Sequence, residues 1–267
     1  MISRPERLFN YAILALFAAV ALYPVALILR TALQPDQIGD SGGLHVSNFA
    51  AAWDEGHFSS YMRTSVVVAA LVVGLATTLS ILAGYAFGTM SFPGSEVIFY
   101  VMLLGIMIPA EALVVPLYFD LRSLGLTDSL VAIVMPQVAQ STAFGTFWMR
   151  AYFRTSSREV VEAARLDGAG HWRTLWSVLV PMGRPAIATM VVLVFMWTWN
   201  EFLIPLVMAT SEELRTAPLG LAFFQGRYSS GTALLAAGAT LVALPVVAVY
   251  LVLQRHFIRG MVEGAVK

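Results

Sequence analysis

The stretch VVEAARLDGAGHWRTLWSVLVPMGRPA, Val160 to Ala186, interrupts a 267-residue chain that is otherwise built for an apolar environment. Hydrophobic residues make up 58% of the sequence and the mean hydropathy is +0.76. Charged residues are 12%, about half the share of an ordinary soluble domain. Against that background the stretch carries Glu162, Arg165, Asp167, Arg173 and Arg184, with glycines at 168 and 170. Just ahead of it, Ser156-Ser157-Arg158-Glu159 has the S-x-x-E form of a capping box and predicts a helix from Ser156. Ala163 and Ala164 have almost no side chain, so another surface can approach the backbone of that helix closely. Gly168 and Gly170 end it, as glycine commonly does at a helix C-terminus. Trp172, Leu175, Trp176 and Leu179 then recur at i, i+3, i+4 and i+7, the stripe of an amphipathic helix at a membrane boundary. Pro181 is expected to end this second helix, and Arg184-Pro185 leads into the next apolar run.

Outward from this stretch the chain divides into membrane spans, each needing about 20 predominantly apolar residues. The first is the uncharged run from Leu8 to Leu29, between Arg7 and Arg30. The second lies within Thr64 to Ser95 and ends near Gly88. A third runs from about Val97 to Phe119 around Glu111, and a fourth from Ser129 to Met149 with Pro136, Gln137 and Gln140 inside it. The fifth, from about Pro185 to Met208, contains Glu201, and the sixth lies within Tyr228 to Gln254. Pro24, Pro136, Pro205 and Pro245 fall inside spans, where helix packing tolerates kinks. Arg4 and Arg7 with Ala19-Val20-Ala21 loosely resemble a secretory signal, but the apolar run is too long and five spans follow, so an uncleaved first helix is expected. These readings give an all-α membrane protein with six transmembrane helices.

Charge sets the expected orientation. With both termini in the cytoplasm, the outer segments hold Arg30, Arg63, Arg122, Arg215 and Arg227, and the other eleven of the 16 basic residues lie inside. That bias follows the positive-inside rule and puts the opening stretch in the cytoplasm. The chain lacks cysteine, which excludes disulfides, thiolate metal sites and cysteine nucleophiles. Its only lysine is Lys267, so the G-x-x-x-x-G-K-[ST] loop that cradles ATP is absent. His45, His57, His171 and His256 have no mutual spacing that suggests a metal site.

Glu162-Ala163-Ala164, Gly168 three residues on, and Val178-Leu179-Val180-Pro181 resemble the EAA loop of binding-protein-dependent ABC importer permeases, E-A-A-x3-G-x9-I-x-L-P. Valines at 178 and 180 replace the usual Ile and Leu without changing the register. The resemblance extends to the smaller permease of the carbohydrate importers, the maltose/oligosaccharide and glycerol-phosphate group. It is carried by YAFGTMSFPG (85–94), PLYFDLRSLGLTDS (116–129), EAARLDGA (162–169), WTWNEFLIPL (197–206), TAPLGLAFFQG (216–226) and QRHFIRGMVEGAVK (254–267). Gly88-Thr89-Met90 departs from it where a basic residue is common, and Glu111 where an uncharged polar residue is commoner.

The resemblance implies the type I importer permease fold, in a bacterial inner membrane. It divides the chain into an N-terminal helix (about 8–30) with its external loop through residue 62, a core over 63–255 holding a coupling loop at about 151–184, and a cytoplasmic tail over 256–267. It further implies a non-catalytic subunit without a cofactor or metal of its own, with ATP and Mg on partner ATPases. The implied partners are a second permease, two cytoplasmic ATPase subunits, an external solute-binding protein and membrane lipid, and no nucleic acid. Glu162, Ala163, Ala164, Asp167, Gly168 and Pro181 are the ATPase-coupling residues by this resemblance. From spacing alone, Glu162 has a second reading as a local partner of Arg158 or Arg165 on a solvated helix face.

A charge near mid-bilayer costs roughly 2.5–3.5 kcal/mol on insertion scales, which makes Glu111 and Glu201 candidates for the solute pathway. Trp197, Trp199 and Asn200 beside Glu201 add aromatic faces and an amide, a surface suited to sugar C–H faces and hydroxyls. The structural alternative has the tryptophans packing between helices and Glu201 bonding to a neighbouring one. For Glu111 the alternative is a place near a water-filled outer mouth. The resulting function is a sugar-importer permease, with a di- or oligosaccharide expected. Glycerol-phosphate or other solute permeases, and a proton-coupled secondary transporter, are the alternatives. A phosphorylated solute would call for Arg or Lys inside the spans, which offer none. A secondary transporter predicts matched broken helices in repeated halves, and the sequence has no such repeat.

Overall fold

In the computed structural model the chain is described over residues 4–35, 43–155, 158–227 and 232–265. Those residues are helical with loops between. The helices are α1 (Arg4–Ala32), α2 (Ser47–Glu55), α3 (Phe58–Thr89), α4 (Ser95–Met107), α5 (Ala110–Ser123), α6 (Leu130–Thr155) and α7 (Arg158–Leu166). They continue with α8 (His171–Met182), α9 (Arg184–Asn200), α10 (Leu203–Met208), α11 (Ala217–Arg227) and α12 (Thr232–Ala265). Four of these are long and apolar enough to cross a membrane, and six spans result if each of two bent pairs counts as one.

The bent pairs correct two expected spans. The third is not one rod over 97–119, because α4 and α5 meet at 99°. The break falls at Ile108 and Pro109, both extended, where proline lacks the N–H a continuing helix would need. The fifth does not run unbroken to Met208: α9 ends at Asn200 and α10 starts at Leu203. At its other end α9 meets α8 at 79°, with Gly183 at the corner.

The chain forms two compact units, Met1–Ser59 with Gly220–Leu244 and Ser60–Leu219 with Pro245–Lys267. In the first, Ala32, Ala52 and Ala237 are fully buried, and the Asn48 side-chain amide donates to the Ala32 and Gln34 carbonyls at 2.9 Å each. The second holds the larger core. Val68, Val72, Ala76, Ile81 and Tyr85 of α3 meet Ile133, Val138, Met149 and Phe153 of α6 and Met190 and Val194 of α9.

Small residues set how closely these helices approach, which is the usual device where lipid gives no hydrophobic drive for helix association. A Cβ on Gly84 would lie 2.5 Å from the Met149 Cβ and 3.0 Å from the Arg150 nitrogen. One turn on, a Cβ on Gly88 would lie 2.9 Å from the Phe153 Cβ. Gly145 of α6 likewise admits Ser80 of α3 and Met190 of α9. Gly84→Ala is therefore expected to overpack the α3–α6 seam and to cost about 1–3 kcal/mol, read as a lowered melting temperature of the purified protein. Gly74→Ala on the same helix, with nothing within 4 Å of the new Cβ, should cause no such loss. Equal effects would contradict the close approach.

On the loops that join α5 to α6 and α10 to α11, Asp128 adopts a left-handed φ of 55°. Its Oδ1 accepts from the Thr210 N–H (2.9 Å), the Ser211 N–H (2.8 Å) and the Ser211 hydroxyl (2.9 Å). The Ser211 backbone bond leads in holding this carboxyl below its ordinary value of 3.8. The folded chain thus favours the charged form. The stabilisation is complete at pH values above the ordinary value and is lost as pH falls through the lowered one. Melting temperature should fall more steeply below about pH 4 in the wild type than in Asp128→Asn, whose amide oxygen accepts at any pH. Parallel curves would exclude Asp128 as the titrating group.

Candidate functional site

The stretch from Arg158 to Met182 is an outward-facing helix fixed to a braced arm. α7 ends as the glycine at 168 predicts. Gly168 has φ +76°, its N–H donates to the Arg165 carbonyl, and the Ala169 N–H reaches back to Ala164. This is the paired capping pattern of a Schellman motif. Nothing lies within 4 Å of a Cβ built on Gly168, so a side chain there meets backbone strain and no clash within this chain. The capping box begins at Ser156, outside the described residues, and α7 is helical from Arg158.

Helical spacing divides α7 into two faces. Val161 packs against the core and Ala164 is buried, whereas Glu162, Ala163, Leu166 and Asp167 are exposed. Ala164 therefore serves close packing within this chain, and of the two alanines only Ala163 is open to another surface. No ion pair to Glu162 is present among the described residues. Leu166, 90% exposed, was not singled out from the sequence. Its signal was an apolar residue one turn from Glu162, beside Asp167.

The arm α8 is held at both ends. The Tyr85 hydroxyl lies 3.1 Å from His171 Nδ1, and the Tyr152 hydroxyl donates to the Leu179 carbonyl at 3.1 Å. Leu175 and Leu179 are fully buried, but Trp172 and Trp176 face outward with their rings edge to face at 6.0 Å. The single stripe expected from spacing is thus two faces, one in the core and one open. The segment Leu175–Leu179 is a π turn within the arm. Pro181 does not end α8. It lies in the last turn, and the corner falls at Gly183, where a Cβ would lie 2.8 Å from the Tyr152 ring. Beside α7, a polar cavity of about 390 Å³ is lined by Gly88, Thr89, Phe153, Arg154, Val161, Glu162 and Arg165.

A second cavity, of about 520 Å³, opens between α6 and α9. Of the five residues expected in a solute pathway it collects Trp197, Asn200 and Glu201. Trp199 is not among its lining residues; it is buried and stacks on Phe195 at 5.6 Å. Glu111 lies in the first turn of α5, exposed and outside the cavity. Glu201 Oε1 accepts the N–H groups of Leu203 and Ile204 at 2.9 and 3.0 Å, and so caps α10 across the break. The Asn200 side-chain amide donates to the Met196 carbonyl at 2.7 Å. Gln137, Gln140, Ser141 and Phe144 complete much of the wall. The two glutamines were visible in the fourth span as polar residues in an apolar run, but nothing in their spacing paired them with Trp197.

Residues 76–263, which include the arm and the cavity wall, match the family described as "Binding-protein-dependent transport system inner membrane component". The chain belongs to this family. Within it, the chain is similar to the probable ABC transporter permease protein YurM of Bacillus subtilis (strain 168), 34% identical over 223 residues, covering 84% of this chain and 74% of that protein. It is also similar to the diacetylchitobiose uptake system permease protein NgcG of Streptomyces coelicolor, 29% identical over 265 residues, covering 96% and 87%. The fold is that of a chain in the crystal structure of a bacterial ABC transporter involved in the import of the acidic polysaccharide alginate. The TM-score is 0.80 at 24% identity, with 96% of this chain and 99% of that chain covered. A binding-protein-dependent permease of this family crosses the membrane several times, and the long apolar helices described above supply those crossings.

Proposed function

We propose that the chain is the membrane subunit of an ATP-driven sugar importer, in which α7 is the point where a separate ATPase pushes. The observation that carries this reading is the outward face of α7, Glu162, Ala163, Leu166 and Asp167, on an arm tied to α3 and α6 by Tyr85 and Tyr152. A helix so braced moves as one body with the spans. The absence of a phosphate-binding loop from the sequence fits ATP and Mg being held by the partner. An external binding protein delivers the solute, a second permease forms the other half of the path, and two ATPases close on ATP. Both termini and the 151–184 loop lie in the cytoplasm, in a bacterial inner membrane, with the core over 63–255 and the tail over 256–267.

A sugar is favoured by the diacetylchitobiose relative and by the cavity, where an indole and amide groups converge without an Arg or Lys. A glycerol-phosphate solute would leave its charge unpaired there. Reconstitution of the chain with its neighbouring permease, ATPases and binding protein should give ATP-dependent sugar uptake, lost when the binding protein is omitted. Reporters fused after Lys267 or inserted at Ser157 should read cytoplasmic, and one at Gly42 external. An external signal at Ser157 would overturn the coupling reading.

A further inference from the structure

We infer that the wall of the 520 Å³ cavity contributed by α6, chiefly Gln140, Ser141 and Phe144, is a subsite for a neutral sugar ring, completed by Trp197 of α9. This rests on the importer reading above and names what the permease itself recognises. The cavity's volume lies within the range of about 300–1,000 Å³ usual for small-molecule sites. Its chemistry is divided as a sugar requires. Trp197 is half-exposed and packs edge to face with Phe144 at 4.7 Å and 75°, so the indole is held in a fixed plane at the cavity edge for the C–H face of a pyranose.

The polar groups supply the hydroxyl contacts. Ser141 is only 7% exposed, and its hydroxyl has no partner among the described residues. The hydroxyl opens onto the cavity, where it is free to donate to or accept from a sugar hydroxyl. Gln140 lies beside it, exposed to the same space. The amide of Asn200 is committed to Met196, which leaves its Oδ1 to accept. Gln137, one turn back on the same wall, has its amide nitrogen bound to the Ile133 carbonyl at 2.9 Å, and its buried Oε1 has no partner among the described residues.

Charge narrows the class. Glu201 is the only ionisable residue among those lining the cavity, and Oε1 is occupied by the α10 cap. A uronate or phosphate entering would meet a carboxylate and no counter-charge, which low dielectric makes costly. Neutral sugars meet no such barrier.

The test uses the assembled complex in proteoliposomes, with maltose, trehalose and diacetylchitobiose as neutral probes and a galacturonate disaccharide as the acidic one. Gln140→Leu, Ser141→Ala and Trp197→Leu are compared with the wild type for uptake per assembled complex. A lost neutral hydrogen bond should lower uptake about 2- to 12-fold, by factors that differ from one neutral sugar to another, and the acidic probe should be taken up least. If Trp197→Leu fails to assemble, Trp197→Phe and the two polar variants carry the comparison. Uptake of a neutral sugar by the wild type, with all variants lowering every sugar by one common factor or by none, would overturn the subsite and leave the importer intact. Preferred uptake of the acidic probe would overturn the charge argument and the subsite with it. Uptake of no sugar at all, in a complex whose ATPase responds to its binding protein, would overturn the sugar reading first.

Discussion

Glu162→Lys is expected to abolish uptake and to release the ATPase during purification, while the protein inserts and folds at wild-type yield. The expectation separates two roles that the sequence leaves open. Within this chain Glu162 is exposed and has no ion pair among the described residues, so reversing its charge removes no contact that holds α7. The helix keeps its shape through Val161, Ala164 and the Gly168 cap, none of which involves the carboxylate. In the complex the same carboxylate would face a basic groove and lose most of its water. Removing one partner of a buried pair costs about 3–5 kcal/mol, a factor of roughly 150 to several thousand in docking affinity. Reversal costs more than removal, so Glu162→Gln should retain weak coupling where Glu162→Lys retains none. Co-purified ATPase, uptake and membrane yield measured on the same preparations check this. Normal transport by Glu162→Lys would return Glu162 to a solvated surface role.

The next largest effect is expected at Glu201, and it differs from what a sugar-contacting carboxylate would give. Glu201→Ala orphans the N–H groups of Leu203 and Ile204 at the α9–α10 break. A fully buried unsatisfied donor costs about 1–3 kcal/mol and these part-buried ones somewhat less, so the variant should melt below the wild type and assemble less well. Glu201→Gln keeps an oxygen that accepts both bonds and should melt within about 1 kcal/mol of the wild type. Loss of stability should affect all solutes alike. Thermal melting of both variants beside uptake of two sugars decides the matter. A stable Glu201→Gln complex with uptake lowered about ten- to a hundredfold for one sugar alone would put the carboxylate on the solute instead.

What was legible in the sequence was what local chemistry dictates. Uncharged runs such as Leu8 to Leu29 became long helices, because a bilayer-length apolar segment must satisfy its backbone internally. Gly168 ended α7 because φ +76° suits a residue without a Cβ. What was not legible depends on which neighbour arrives. Ala163 and Ala164 look alike in sequence, yet the turn of α7 buries the second and exposes the first. Trp197 and Trp199 are two residues apart, so on a helix they point to different surroundings, one to the cavity and one to Phe195. The α4–α5 break did have a signal in Pro109, which high hydropathy on both sides concealed. Gln140 and Trp197 come to line one cavity only through the packing of α6 and α9.

Cysteine is absent from the chain, so one engineered thiol reports without background. Ala163→Cys places it on the exposed face of α7 beside Glu162. The decisive measurement is its labelling by a membrane-impermeant maleimide, in intact cells and in inside-out vesicles, with and without the partner ATPase. A lever on which the ATPase docks predicts no labelling in cells, rapid labelling in stripped inside-out vesicles, and protection when the ATPase is restored. Labelling from the cell exterior, or equal labelling of vesicles with and without the ATPase, would contradict it.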